Sequence, residues 1–234
     1  MTSIGTVPSG RARVRRHRDR GSYERAEIDA ILDEAMICHV GACVEGSPWM
    51  IPTGYGRDGD WLYLHGAAGN HLLGAAGGAD VVVCVTLLDG IVLARSSFNH
   101  SFNYRSVVIF GRAEEVTDPP AKARALEVIV EHILPGRSRE ARPPTGSELR
   151  QTRVVRVGLA EASAKVRSGP PVDDPADVDL PIWAGVLPLR TSAGPAVPDG
   201  RNRPGLPAPV GIEQPGRFVL DPTGPVPPAG GRDR

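Results

Sequence analysis

A succession of apolar, strand-like runs separated by turn-forming residues is what most constrains this chain. The runs are 36–44 "MICHVGACV", 48–55 "PWMIPTGY", 60–65 "DWLYLH", 80–88 "DVVVCVTLL", 91–96 "IVLARS", 104–117 "YRSVVIFGRAEEVT" and 152–162 "TRVVRVGLAEA". Between them stand "EGS", "RDGD" and "LDG", the residue types that reverse a chain between antiparallel strands. Helical spacing is confined to three places. Residues 23–35, with Ser22 as cap, carry Ala26, Ile28, Ile31, Leu32 and Ala35 on one face. Residues 70–76 form a short second helix, and residues 119–133 a third that starts at Pro119–Pro120. Many closely spaced strands and few helices predict a mainly β fold, a barrel or sandwich rather than a doubly wound sheet.

Charge and composition limit the partners. Basic and acidic residues balance at 27 each, so no global field draws the chain to nucleic acid or to an anionic membrane. The exception is local: "RARVRRHRDR" at 11–20 holds six arginines without any recognition module beside it, and reads as a loose basic arm over residues 1–20. The domain proper is expected at 21–189, and the Pro- and Gly-rich stretch 190–234 as an extended or disordered tail. Cys38, Cys43 and Cys84 are odd in number and lie in apolar runs, which predicts reduced core cysteines. No apolar run approaches the length of a bilayer span, and the basic N-terminus is not followed by an apolar stretch. These features together predict a cytoplasmic protein.

Two motifs tempt and fail. "GYGRDG" at 54–59 matches the dinucleotide fingerprint, but a strand follows it instead of a helix, so its glycines are assigned to a hairpin. Cys38 and His39 are neighbours on a strand and face opposite ways, and His65 with His71 lacks a third ligand nearby, which argues against a structural zinc site. What survives is a set of three segments. "WLYLHGAAGNHLLGAAGG" at 61–78 runs strand, small-residue turn, short helix, a geometry that aims backbone N–H groups at an anion, with His65, Asn70 and His71 as further donors. Taken alone it is also an ordinary strand-to-helix loop. "SFNHSFNYRSVVIF" places Tyr104, Arg105 and Ser106 at the mouth of a strand, as a ligand site or an interface cluster. "SAKVRSGPP" at 163–171 adds Lys165 and Arg167, equally readable as a solvated strand end.

In order, these segments resemble the pyridoxamine 5'-phosphate oxidase-like superfamily of FMN-binding split β-barrels, over about residues 20–190, with the nitroimidazole reductase branch the most similar. The resemblance implies an antiparallel, Greek-key split barrel, assembled as a homodimer with FMN between subunits. It places Ile51, Pro52 and Thr53 beside the flavin ring, His65, Gly66, Asn70 and His71 at the phosphate, and Tyr104, Arg105 and Ser106 near the dimer boundary. Lys165 and Arg167 belong to the same expected site. Many relatives carry a lysine or arginine near the position of Asn70 and His71, and this chain has none there. His65 matches a histidine near the flavin, as a proton donor or a simple contact. The implied activity is a flavin-dependent oxidoreductase acting on a small organic molecule. F420 or haem on the same barrel, with His39, His65, His71 and His100 as candidate iron ligands, and a non-catalytic flavin-binding protein are the alternatives.

Overall fold

Glu45 and Gly46, both at positive φ (51° and 81°), fold strand β2 (Ile37–Val44) back onto β3 (Ser47–Asp58) in register from Ile37 opposite Gly54 to Val44 opposite Ser47. The computed structural model describes residues 10–213 and 219–220. A second reversal at Gly59 (φ 54°) returns the chain into β4 (Trp61–Ala67), so the glycines of "GYGRDG" serve a hairpin, as expected. The remaining elements are β1 (Gly21–Ser22), α1 (Arg25–Glu34), α2 (His71–Ala76), β5 (Asp80–Leu93), β6 (Ser101–Arg112), β7 (Glu114–Glu115) and α3 (Pro119–Ile133). Then follow α4 (Arg137–Glu140), α5 (Gly146–Gln151), β8 (Thr152–Gly158), β9 (Ala162–Arg167) and β10 (Gly185–Pro188).

The strands form one antiparallel sheet in the order β1-β9-β6-β5-β2-β3-β4-β8-β7, with β10 paired to β5. Its path runs from β1 to β7 without closing on itself, the split barrel that the family resemblance implies and one of the two forms, barrel or sandwich, that the strand pattern predicts. β3 makes the bend: residues 47–54 pair with β2, and residues 55–58 pair with β4. Alternation along the strands sends Val40, Val83, Val85, Val107, Ile109, Leu62, Leu64 and Val155 inward, all fully buried. Ile28, Ile31 and Leu32 of α1 join that core.

Tyr55 locks the helix to the barrel. Its ring is fully buried, and its hydroxyl lies within hydrogen-bond reach of the carbonyls of Leu32 (2.6 Å) and Ala35 (3.0 Å) at the end of α1, with one proton to donate between them. His132 of α3 stacks on the same ring with centroids 4.4 Å apart, and its Nε2 lies 2.8 Å from the Ala35 carbonyl.

Several local expectations are corrected. Residues 80–88 and 91–96 are not two strands separated by a turn. They are one strand, because β6 pairs along its whole length and Asp89–Gly90 is absorbed as a bulge. Conversely, 152–162 divides into β8 and β9, with Leu159 N–H donating to Asp60 and Glu161 C=O accepting from Phe110 at the reversal. The N-cap of α1 is Glu24, not Ser22, whose hydroxyl instead accepts from Glu24 N–H. Cys43 is exposed and Cys84 half-buried, so only Cys38 is a core cysteine; all three are free. Burial pushes the Cys38 thiol up to about 12.

The described part of the N-terminal arm lies against the barrel. Ala12 is buried, Arg11 pairs with Glu161 and Asp80 and sits over the Phe110 ring, and Val14 N–H donates to Tyr23. Residues 1–9 lie outside the described residues, as do 214–218 and 221–234 of the tail. Within the tail, β11 (Ser192–Ala193) and β12 (Val219–Leu220) pair in parallel.

A close backbone-to-backbone approach of helix and sheet is at Gly56 on β3, where an added Cβ would stand 2.8 Å from backbone atoms of Val128 and Ile129 in α3. Backbone cannot swing aside, so Gly56→Ala is expected to cost about 1–3 kcal/mol of stability by overpacking, measured as a lower urea midpoint at unchanged slope.

Candidate functional site

Residues 47–54 of β3 are hydrogen-bonded to β2 along one edge, and no strand pairs with their other edge among the described residues. Trp49 and Met50 on this stretch are 48% and 60% exposed, large apolar side chains that a lone barrel leaves in water. Two grooves lie nearby: Trp49 and Met50 wall the first, and Trp49 reaches the second only through its contact with His71. The first, about 360 Å³, is mostly apolar, with Gly41, Ala42, Pro48, Trp49, Met50 and Phe110 on its walls. The second, about 510 Å³, is polar, and runs between the β2–β3 turn and α2, where Ala68, Gly69, Asn70, His71, Gly74 and Arg153 line it. Cys43 borders both grooves, and the Trp49 ring contacts the His71 imidazole at 5.4 Å between centroids. An apolar groove beside a more polar one, with Cys43 between them, suits a ligand with a flat ring and a charged tail.

Of the residues singled out in the sequence, the fold brings one group together here. Ile51, Pro52 and Thr53 lie on the half-open strand, and His71 lines the polar groove. Asn70 lines it too, but its Oδ1 is committed as the N-cap of α2, accepting from Leu73 N–H at 2.9 Å. His65 and Gly66 end β4 opposite Val154 and Arg153 of β8. The Nδ1 of His65 is buried without a hydrogen-bond partner, and burial holds the imidazole below its ordinary value, so the ring is neutral at pH 7. A buried, unpartnered imidazole nitrogen is uncommon in a folded chain.

A second group is held elsewhere. Tyr104, Arg105 and Ser106 sit on β6, and β5 and β2 intervene between that strand and β3. Arg105 is engaged within the chain: it donates to Glu34 Oε1 (2.7 Å) and Asp89 Oδ1 (2.7 Å), and these carboxylates raise its pKa further. It ties the end of α1 to the bulge of β5. Ser106 Oγ donates to the Lys165 carbonyl at 3.2 Å, and Lys165 itself pairs with Gly21 of β1. Arg167 is buried and donates to the Asn103 side chain and to the carbonyls of Gly169 and Pro170. Arg167 thus holds the end of β9 to the Asn103 side chain and the 169–170 turn.

Sequence reasoning missed Arg153. The cation absent near Asn70 and His71 arrives from β8, through the pairing of Gly66 with Arg153. Its guanidinium crosses α2 at Gly74, where an added Cβ would meet Nη1 at 2.6 Å. No period-two pattern in "TRVVRV" could have found it, since Val154, Val155 and Val157 are all buried and nothing local says which strand β8 joins. Among the described residues no three His, Cys, Asp or Glu side chains gather as a metal site, and no helix is long and apolar enough to cross a membrane.

Comparison with known proteins supplies a family. A family model described as pyridoxamine 5'-phosphate oxidase matches residues 24–166. The structure of the flavocytochrome Anf3 from Azotobacter vinelandii is 40% identical, covers 93% of this chain and 100% of its own, and superposes with a TM-score of 0.85. The FAD- and haem-binding protein from Mycobacterium smegmatis is 36% identical over 83% of this chain and 96% of its own, with a TM-score of 0.79. A candidate 5-nitroimidazole antibiotic resistance protein from Bacteroides thetaiotaomicron is 24% identical over 62% of this chain and 86% of its own, at a TM-score of 0.52, and shares the fold. No curated protein sequence matches the chain.

The state of His65 can be tested by its effect on stability. Its folded value lies below 6.5, so as pH falls below 6.5 the unfolded chain takes up a proton that the native imidazole refuses, and stability is lost. His65→Gln is expected to flatten the fall in melting temperature between about pH 6.5 and 5, where this linkage acts; an unchanged slope would mean that the ring is not desolvated.

Proposed function

This chain belongs to the pyridoxamine 5'-phosphate oxidase family, and we propose that it is a flavin-dependent oxidoreductase of the flavocytochrome kind, carrying both a flavin nucleotide and haem. The observation that carries the reading is 40% identity, along the whole of the relative's length, to a flavocytochrome. The second relative, at 36% identity, binds FAD and haem, which favours FAD over the FMN expected from the sequence.

The residues fit such groups in chemistry. A flavin is a flat, largely apolar ring on a phosphorylated chain, and the paired grooves beside Trp49 offer an apolar wall next to a polar one. The half-open strand 47–54 offers backbone groups that no neighbouring strand uses. When bound, flavin supplies hydride and single-electron chemistry, and haem supplies a one-electron centre. The chain's own part is to seat and orient the ring, exclude water, and hold a neutral imidazole at His65. A neutral imidazole with a free nitrogen can ligate iron or accept a proton. Of the other imidazoles, His100 Nδ1 is already 2.9 Å from the Ser96 carbonyl, and His39 is exposed on the outer face of β2.

A homodimer is part of the proposal. The exposed Trp49, Met50, Leu88 and Phe102 need cover, and the Tyr104–Ser106 group could join the Trp49 grooves in one site only across two chains. The substrate in this reading is a small organic molecule.

Freshly purified protein is expected to show flavin absorbance together with a Soret band, and to release FAD on denaturation. Colourless protein that gains neither band on incubation with FAD and haemin would refute the assignment. Flavin bands without a Soret band would reduce it to a simple flavoprotein.

A further inference from the structure

Most arginines around the barrel spend their guanidinium on carboxylates. Arg57 pairs with Asp33 and Asp29, Arg105 with Glu34 and Asp89, and Arg156 with Glu114 through both Nε and Nη2. Arg153 differs. Its Nε donates to Glu115 Oε1 at 3.2 Å, and its two Nη atoms meet no acceptor among the described residues. The side chain is 26% exposed, so the guanidinium is half-sheltered and anchored at one end. Its free end lines the polar groove with Asn70 and His71, and Glu45, exposed at the β2–β3 turn, is the one carboxylate on the same lining among the described residues.

Gly74 is what allows this. Any side chain there would occupy the space of Nη1, so the helix leaves a notch in which the guanidinium lies. A planar cation fixed at Nε, with its outer N–H groups turned to a groove, is the arrangement that grips phosphate in two-pronged fashion.

We propose that Arg153 is the residue that selects phosphorylated flavins, its Nη groups binding a phosphoryl oxygen of the cofactor's tail in the groove lined by Asn70, His71 and Gly74. The inference rests on the flavin reading above and deepens it: the chain would discriminate FAD and FMN from riboflavin through a cation on β8 instead of one on the β4–α2 turn. Glu115 holds the guanidinium in place and remains paired when the groove is filled.

The test is equilibrium binding, read by quenching of flavin fluorescence, on the flavin-depleted full-length chain with FAD, FMN and riboflavin. Arg153→Gln is expected to weaken FAD and FMN by about tenfold to a hundredfold while leaving riboflavin within about twofold, since only the phosphorylated ligands lose a charge-assisted contact. Gly74→Ala keeps the charge and raises helix propensity, and should weaken the same two ligands by displacing the guanidinium. Raising salt should weaken nucleotide binding in the native chain more than riboflavin binding. A parallel loss of riboflavin affinity, or unchanged nucleotide affinity in Arg153→Gln, would overturn the inference. Native protein that binds riboflavin as tightly as FAD would overturn it while keeping the flavin reading. Native protein that binds none of the three would remove both.

Discussion

The structure turns on one strand that serves two neighbours in succession. β3 gives its first eight residues to β2 and its last four to β4, and the sheet bends where the partner changes. A strand cannot keep one straight course and pair with both, so the barrel opens there and the first half of β3 is left with a single partner. Everything proposed about a cofactor depends on that consequence. Trp49 and the apolar groove it walls stand open because the sheet does not close over residues 47–54.

Around this gap the chain is held by devices that face away from it. Tyr55 and His132 together satisfy the last carbonyls at the end of α1, so the helix stays seated although its termini are short. Arg105 binds the same helix to the bulge of β5 through two carboxylates. A half-sheltered guanidinium with two bidentate-like partners holds geometry better than an exposed pair does. The site is therefore flanked by rigid elements, and its own lining is mostly turn and short helix, the usual division between scaffold and binding surface.

The strand pattern made much of the fold legible. Short apolar runs such as "VVVCV" and "VVIF", with the hairpin residues at 45–46 and 59, located the strands and two of the reversals. It failed where local chemistry was overruled by pairing. Asp89–Gly90 has turn composition, yet β6 runs past it and makes it a bulge. "GLAEA" follows the strand run without a marked turn signal, yet Leu159 reverses onto Asp60. The site was legible in part for the same reason. Segment 61–78 is contiguous, so its turn and helix could be foreseen. Arg153 comes from a strand some eighty residues later, and no local signal says that β8 lies beside β4. Arg105 shows the opposite error: an arginine beside aromatics looked like a ligand contact, and the carboxylates that claim it, Glu34 and Asp89, are distant or unremarkable in sequence.

Pro48 and Pro52 stand four apart on the half-open strand, so by the period of a strand they share one edge. Prolines inside a sheet keep to the side that needs no amide hydrogen, which places both on the unpaired side. That side then presents carbonyl oxygens with few N–H groups between them. It cannot template a further strand, which guards the molecule against edge-to-edge aggregation, yet it stays receptive to any flat molecule rich in hydrogen-bond donors.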